Sequence, residues 1–252
     1  MKTLTISVLG ALLLSSCAHY YYVPNVQNVP LFREKNEYRF SASYGVGDES
    51  TSAEVQAAYS PTSNIGLMAN YISASGGNST GENSAKGYYL EGAAGYYKPI
   101  RKAAVFEIYG GLGGGSQNHK YCNLFSNQSY GTTNLSSVKV FIQPSFGMTF
   151  NAFDVAFSTR LCNVSFTDVI NNTNNDFESY VVHDIGVRNR AFIEPAITLR
   201  GGSKNVKFQL QGLISTDLSN PTLQIGERYH FSAGMYFTIA NRYKTSKTNN
   251  NK

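Results

Sequence analysis

From residue 37 onward the chain alternates apolar and polar side chains with a period of two, which predicts half-buried strands rather than helices. In YHFSAGMYFTIA, the residues Tyr229, Phe231, Ala233, Met235, Phe237 and Ile239 fall on one face. His230, Ser232, Gly234, Tyr236 and Thr238 fall on the other. VKVFIQPSFGMTF sets Val138, Val140, Ile142, Pro144, Phe146 and Met148 against Lys139, Phe141, Gln143, Ser145, Gly147 and Thr149. EYRFSASY, AFIEPAITLR and VKFQLQGLI repeat the pattern. Ten segments carry it: 37–46, 51–60, 64–74, 86–98, 103–115, 136–149, 153–166, 190–201, 204–215 and 228–241. Many exceed the five or six residues usual in soluble strands and suit a bilayer crossing, which takes about 9–11 residues per tilted strand.

The connections alternate in length. SPTSN, KPIRK, FNAF and GGSKN are short and rich in turn residues. Between them lie GGNSTGENSA, SQNHKYCNLFSNQSYGTTN, TDVINNTNNDFESYVVHDIGVRN and DLSNPTLQIGE, with GVGDES on the same side as these longer stretches. Short turns at one end and long loops at the other are the asymmetry of a transmembrane barrel. The predicted fold is all-β, a closed antiparallel transmembrane β-barrel of about ten strands, with eight as the lower count. A soluble periplasmic sandwich or barrel is the competing architecture, because it alternates too.

On the barrel reading the polar face lines the lumen. It carries Arg39, Glu54, Glu91, Glu107, Lys139, Asp154, Arg160, Glu194, Arg200 and Lys207, five acids and five bases. A barrel of this size encloses little space, and buried charges need partners. A salt-bridged, plugged interior is therefore expected, with a narrow channel for small solutes as the alternative.

Composition adds little to the fold and more to the exclusions. Only 15% of residues are charged, and 13% are aromatic, including 18 Tyr; soluble domains average about 25% charged. Beyond the N-terminus no apolar run is long enough for a spanning helix. The net charge of +5 is scattered, and no cluster of Lys and Arg with interleaved aromatics points to nucleic acid.

The N-terminus reads as a targeting segment: Met1-Lys2, an apolar core over Leu4–Leu14, then Leu14-Ser15-Ser16-Cys17. That cut site resembles the bacterial lipobox, which implies removal of 1–16 as a lipoprotein signal peptide and lipidation of Cys17. Export places the chain in an oxidising compartment. Cys122 and Cys162 then remain, either as a possible disulfide or as two thiols. Residues 17–36 are expected to form a lipidated periplasmic lead-in, with Tyr20–Tyr22 at the inner-leaflet interface and Pro24 and Pro30 keeping it extended. Residues 37–241 form the barrel and 242–252 a polar disordered tail.

Ser232, Gly234, Phe237 and Ile239 resemble the C-terminal assembly signal of outer-membrane barrels. With the lipobox and the ten segments, the mature chain resembles a small outer-membrane β-barrel lipoprotein of the kind common in Bacteroidota, porin-like or OmpX-like. The resemblance implies residence in the bacterial outer membrane, lipid-anchored and membrane-spanning. The implied partners are outer-membrane lipid, the barrel-assembly machinery, and an extracellular glycan or protein met through the loops.

Candidate chemistry is sparse. No HExxH or paired-His spacing exists among His19, His119, His183 and His230, so no metal site is expected. GGLGGG at 110–115 lacks the Lys-Ser/Thr of a phosphate loop. His183-Asp184 on a long loop is the only hint of the Asp–His pair of outer-membrane proteases. The serines of SFG and FSAG lack the elbow that a lipid-modifying enzyme would need. No catalytic residue and no cofactor is assigned. The expected role is structural, or surface interaction and adhesion.

Overall fold

In a computed structural model, the described residues are 20–77, 84–122, 129–174, 176–220, 223 and 225–243. The strands are β1 (Tyr38–Gly47), β2 (Ser50–Tyr59), β3 (Ile65–Gly77), β4 (Ser84–Pro99), β5 (Ala104–Cys122), β6 (Ser129–Thr149), β7 (Phe153–Asn171), β8 (Arg190–Gly202), β9 (Val206–Ile214), β10 (Thr216–Asp217) and β11 (Tyr229–Ile239). Among the described residues, the α-helix α1 (Asp176–Val187) lies between β7 and β8, and a short 3-10 turn covers Asn241–Tyr243. Each long strand pairs antiparallel with its neighbours, and β8–β9, β9–β11 and β11–β1 close the ring. The two-residue β10 continues the line of β9 against β8 beyond Ser215. Ten long strands thus form a closed antiparallel barrel, with no free edge in the ring.

The barrel is inverted relative to a soluble one. Its outward positions are apolar and exposed: Phe40 43%, Leu112 66%, Phe157 54%, Leu210 47% and Ile239 50%. Outward positions in the middle of the strands carry no charge. The inward positions are polar or charged and buried. An apolar band facing out around a polar interior is stable only against hydrocarbon. The strands therefore span a membrane, and the soluble alternative is excluded.

The wall is uneven in height. β1 and β2 have 10 residues each, whereas β5, β6 and β7 have 19, 21 and 19. Most of the expected third long loop is therefore a tall β5–β6 hairpin, paired from His119↔Thr133 to Tyr121↔Gly131. The stretch after β7 is likewise more than a polar loop. α1 starts on Asp176 and Glu178, acids that complement a helix N-terminus. It buries Val181, Val182 and Ile185 over the long-loop mouth. Arg190 pairs there with Asp184 and with Asp217 at 3.3 Å, fastening α1 to β8 and β10.

The lead-in departs furthest from the expectation. Residues 20–36 do not extend below the barrel as a periplasmic segment. They run through the lumen from the long-loop mouth to the short-turn mouth. Tyr21 and Tyr22 donate from their backbone nitrogens to the Ile225 carbonyl at 2.7 and 3.0 Å, and Tyr22 forms a parallel bridge with Gly226. At the other end Arg33 Nη2 donates to the Arg101 carbonyl at 3.0 Å, and Asn36 N donates to Ser60 O at 2.7 Å. Leu31 (φ 52°) and Asn36 (φ 60°) take left-handed backbone where the chain turns to enter β1. Tyr21 and Tyr22 are thus buried at 1% and 4% in the barrel mouth, not placed at the inner-leaflet interface.

Candidate functional site: the occupied lumen

Twelve successive residues, 21–32, are buried inside the ring, Val23 only partly. Extended chain with no neighbour strand must find partners for its backbone groups elsewhere. Here wall side chains supply them. Gln56 Nε2 donates to Val26 O at 2.7 Å, and Gln211 Nε2 to Gln27 O at 2.9 Å. Gln143 Nε2 donates to Asn28 O at 2.8 Å, and Arg200 Nη2 to Val29 O at 2.8 Å. Tyr236 Oη donates to Pro30 O at 2.9 Å, and Arg39 Nη2 to Leu31 O at 3.3 Å. Six consecutive carbonyls, 26 to 31, are met by side chains of six different strands. Three backbone donors are served as well: Val26 N by Glu54 at 2.8 Å, Gln27 N by Gln211 Oε1 at 2.7 Å, and Phe32 N by Glu107 at 3.0 Å.

The charged middle tier centres on Asn25. Its Oδ1 accepts from Lys139 Nζ at 2.9 Å and Arg160 Nη1 at 2.7 Å, and its Nδ2 donates to Glu91 at 2.9 Å. Glu91 pairs directly with Lys139 and lies 3.7 Å from Arg160, which lies 4.0 Å from Glu194. Tyr22 Oη donates to Glu194 at 2.7 Å. Lower down, Asp154 accepts from Lys207 at 2.5 Å and lies 3.9 Å from Arg200. Arg200 stacks 3.7 Å from the Tyr236 ring centre, a favourable cation–π contact. His230 meets Glu54 at 3.2 Å. Arg39 pairs with Glu37, the residue just before β1.

Apolar tiers close both ends. Near the long loops, Tyr21, Tyr22, Phe141, Phe192, Ile225 and the α1 aliphatics form one cluster. Towards the short turns, Phe32 packs with Tyr97 and Tyr109, while Val29 and Leu31 pack with Val105 and Ala156. Two inward glycines make room. A Cβ on Gly147 would stand 2.8 Å from Leu31 Cδ2, and one on Gly66 would stand 2.5 Å from Tyr109 Oη and 3.0 Å from Phe32.

All ten charges expected on the lumen face are there, between 0% and 4% exposed. Cys162 is a free thiol, buried 3.7 Å from Tyr22 Oη. It pairs in register with Phe141, which pairs with Gly111. It therefore lies eleven residues below Cys122 along β5, more than roughly 30 Å at strand rise. A bridge needs Cα atoms within about 7 Å, so the Cys122–Cys162 disulfide is ruled out. Cys162 sits halfway up β7 rather than near its top. Cys17 lies outside the described residues. In β11, Ser232 faces the lumen while Phe237 and Ile239 face outward at 40% and 50% exposure. A Cβ on Gly234 would stand 2.2 Å from the Ala42 carbonyl. The tail does not start loose. Arg242 holds Glu37 through both guanidinium nitrogens at 2.8 Å; residues 244–252 lie outside the described part. His183 and Asp184 do not form a dyad, for His183 is exposed while Asp184 is buried against Arg190 and 3.4 Å from Arg188. Among the described residues no group of three His, Cys, Asp or Glu is placed to hold a metal ion.

Open space remains at the two mouths. At the long-loop end a cavity of about 100 Å³ lies among Tyr20, Tyr22, Glu49, His119 and Glu227. Burial, with Glu227 and Asp48 nearby, pushes the Glu49 carboxyl up to about 7. At the short-turn end a space of about 490 Å³ is ringed by Arg33, Lys102, Lys204 and Arg242. Burial and the neighbouring Arg242 hold Arg33 below its usual value.

No protein-family model and no curated protein matches the chain. Solved structures do. The translocator domain of the autotransporter NalP from Neisseria meningitidis matches with a TM-score of 0.45 at 8% identity, over 81% of this chain and 88% of that one. The outer membrane protease OmpT from Escherichia coli gives 0.44 at 10%, over 84% and 99%. The outer membrane protein OprG from Pseudomonas aeruginosa gives 0.35 at 11%, over 83% and 98%. The fold, as the strand pairing itself shows, is a closed ten-strand antiparallel barrel. These distant matches, a translocator and a protease among them, bring no function to this chain.

Proposed function

We propose that this protein is a non-enzymatic barrel of the bacterial outer membrane, sealed by its own N-terminal segment. Its role is in envelope structure or in surface interaction through the long-loop end. The observation that carries this is the pairing of six successive carbonyls of residues 26–31 with wall side chains. A passive filler would not need a dedicated donor at each position. A lumen filled in this way favours a sealed barrel over a solute channel. The tall β5–β6 hairpin and α1 with its exposed Phe177 (65%) and Tyr180 (62%) present the surface that a glycan or protein would meet. The test is conductance in planar bilayers. The full chain is expected to stay at baseline, and a variant lacking residues 20–33 is expected to conduct if it folds. Steady openings by the full chain would overturn the sealed reading in favour of a narrow channel.

A further inference from the structure

The course of residues 20–36 decides on which side of the membrane the preceding chain emerges. β1 begins at the short-turn end, where Asn36 is tied to Ser60. From there, reading backwards, Arg33 contacts Arg101 in the β4–β5 turn. Phe32 stands at the level of Glu107, Asn25 at Glu91, and Tyr21 at Gln117, whose Nε2 donates to Tyr21 O at 2.7 Å. Glu107 and Gln117 lie on the same strand, ten residues apart, or roughly 33 Å of strand. That is comparable with the thickness of the apolar core of a membrane, about 25–30 Å. Tyr21 Oη then donates to Glu178 of α1 at 2.5 Å, and Tyr20 shares the long-loop cavity with Glu49 and Glu227. The segment crosses the full membrane inside the barrel, antiparallel to β1.

Three peptide units reach at most about 11 Å. Residue 17 therefore stays close to Tyr20 and cannot return to the short-turn face. Short turns face the periplasm in barrels of this type, and long loops face outward. We infer that the chain preceding Tyr20 is displayed on the long-loop, external face of the membrane. An acyl group on Cys17 would then enter the external leaflet rather than the periplasmic one. The inference uses the same threaded course as the sealed-barrel reading, but asks about side rather than seal.

The test is labelling of intact and permeabilised cells with a membrane-impermeant maleimide, using the full chain carrying Cys122→Ser; Cys162 is shielded, and the same chain with no added cysteine sets the level that Cys17 contributes, which is subtracted from each variant. His19→Cys reports the chain before Tyr20. Phe177→Cys marks the long-loop face and Lys102→Cys the short turns. The expected result is that His19→Cys labels in intact cells to the same extent as Phe177→Cys, while Lys102→Cys labels only after permeabilisation. His19→Cys that labels only after permeabilisation, or in neither state, overturns the inference. Three separate single variants guard against one failing to fold, and folded barrel is verified for each by its resistance to unfolding in detergent. Because conductance plays no part here, a leaky barrel with external labelling would sink the seal and leave the side intact.

Discussion

The wall and the segment it encloses are both extended chain, yet they are held in opposite ways. In the wall, backbone bonds backbone, strand to strand, and side chains are free to face lipid or lumen. In the threaded segment, the backbone between 26 and 32 is bonded almost wholly by side chains. Backbone ladders accept many sequences, so the wall needs only the right alternation. A strand held by side chains is specified residue by residue. The difference teaches where this molecule is tolerant and where it is not. Substitutions that keep the alternation of the wall should be mild, while single changes at segment contacts should be felt singly.

The largest effect is expected from Glu91→Ala, which touches both regions. It leaves Lys139 and Arg160 buried with Asn25 but without their shared carboxylate. Breaking a buried pair of this kind costs about 3–5 kcal/mol, to be read as a lowered denaturant midpoint of the detergent-folded barrel. A cost near zero would mean that the segment is only loosely seated. The wall alone is challenged by Leu210→Arg, mid-strand on the lipid face, where a charge costs about 2–4 kcal/mol. Leu210→Val at the same site should be nearly silent in the same assay, as the tolerance of the wall requires. Asn25→Leu keeps the volume but withdraws two acceptor contacts and two donor contacts, to Glu91 and to Val26 O. It should cost about 1–3 kcal/mol and raise baseline conductance; stability equal to the parent would break the contrast drawn here.

The smallest effect concerns the long-loop mouth. The Glu49 carboxyl is raised from 4.5 to about 7, by burial first and then by Glu227 and Asp48. The folded state thus favours the protonated form, so its contribution is fully present below the ordinary value and is lost as pH rises through about 7. Glu49→Gln mimics the protonated state. It should raise the unfolding temperature slightly above neutral pH and make no difference below 4.5. A benefit that is independent of pH would remove the charge argument.

The ten strands were legible because each wall residue has two distinct surroundings, lipid and lumen, and alternation records them. The lumen charges followed from the same phase. What alternation cannot record is a strand with one surrounding on all sides. Val26 and Val29 are as buried as Gln27 and Asn28, so VPNVQNVPLF shows no period and reads as an open linker. A signal was present on the wall instead: the inward amides Gln56, Gln143 and Gln211, unneeded by any ladder, are donors waiting for a backbone. The tall hairpin was hidden because above the membrane both of its faces are polar. α1 was hidden among Asn and Thr, although Val181, Val182 and Ile185 fall on one helical face. The disulfide failed for want of register. Spacing along the chain says nothing of height, and Cys162 proved to be a lumen residue facing Tyr22.

The threaded segment also fixes an order in time. The segment and the ring are one covalent chain, and the lumen around residues 21–32 is filled to exposures of a few per cent. Such a ring, once shut, has no bore through which its own leader could later be drawn. The ring must therefore close around a leader already laid along the inner wall. Folding here resembles fastening a cuff around a cord.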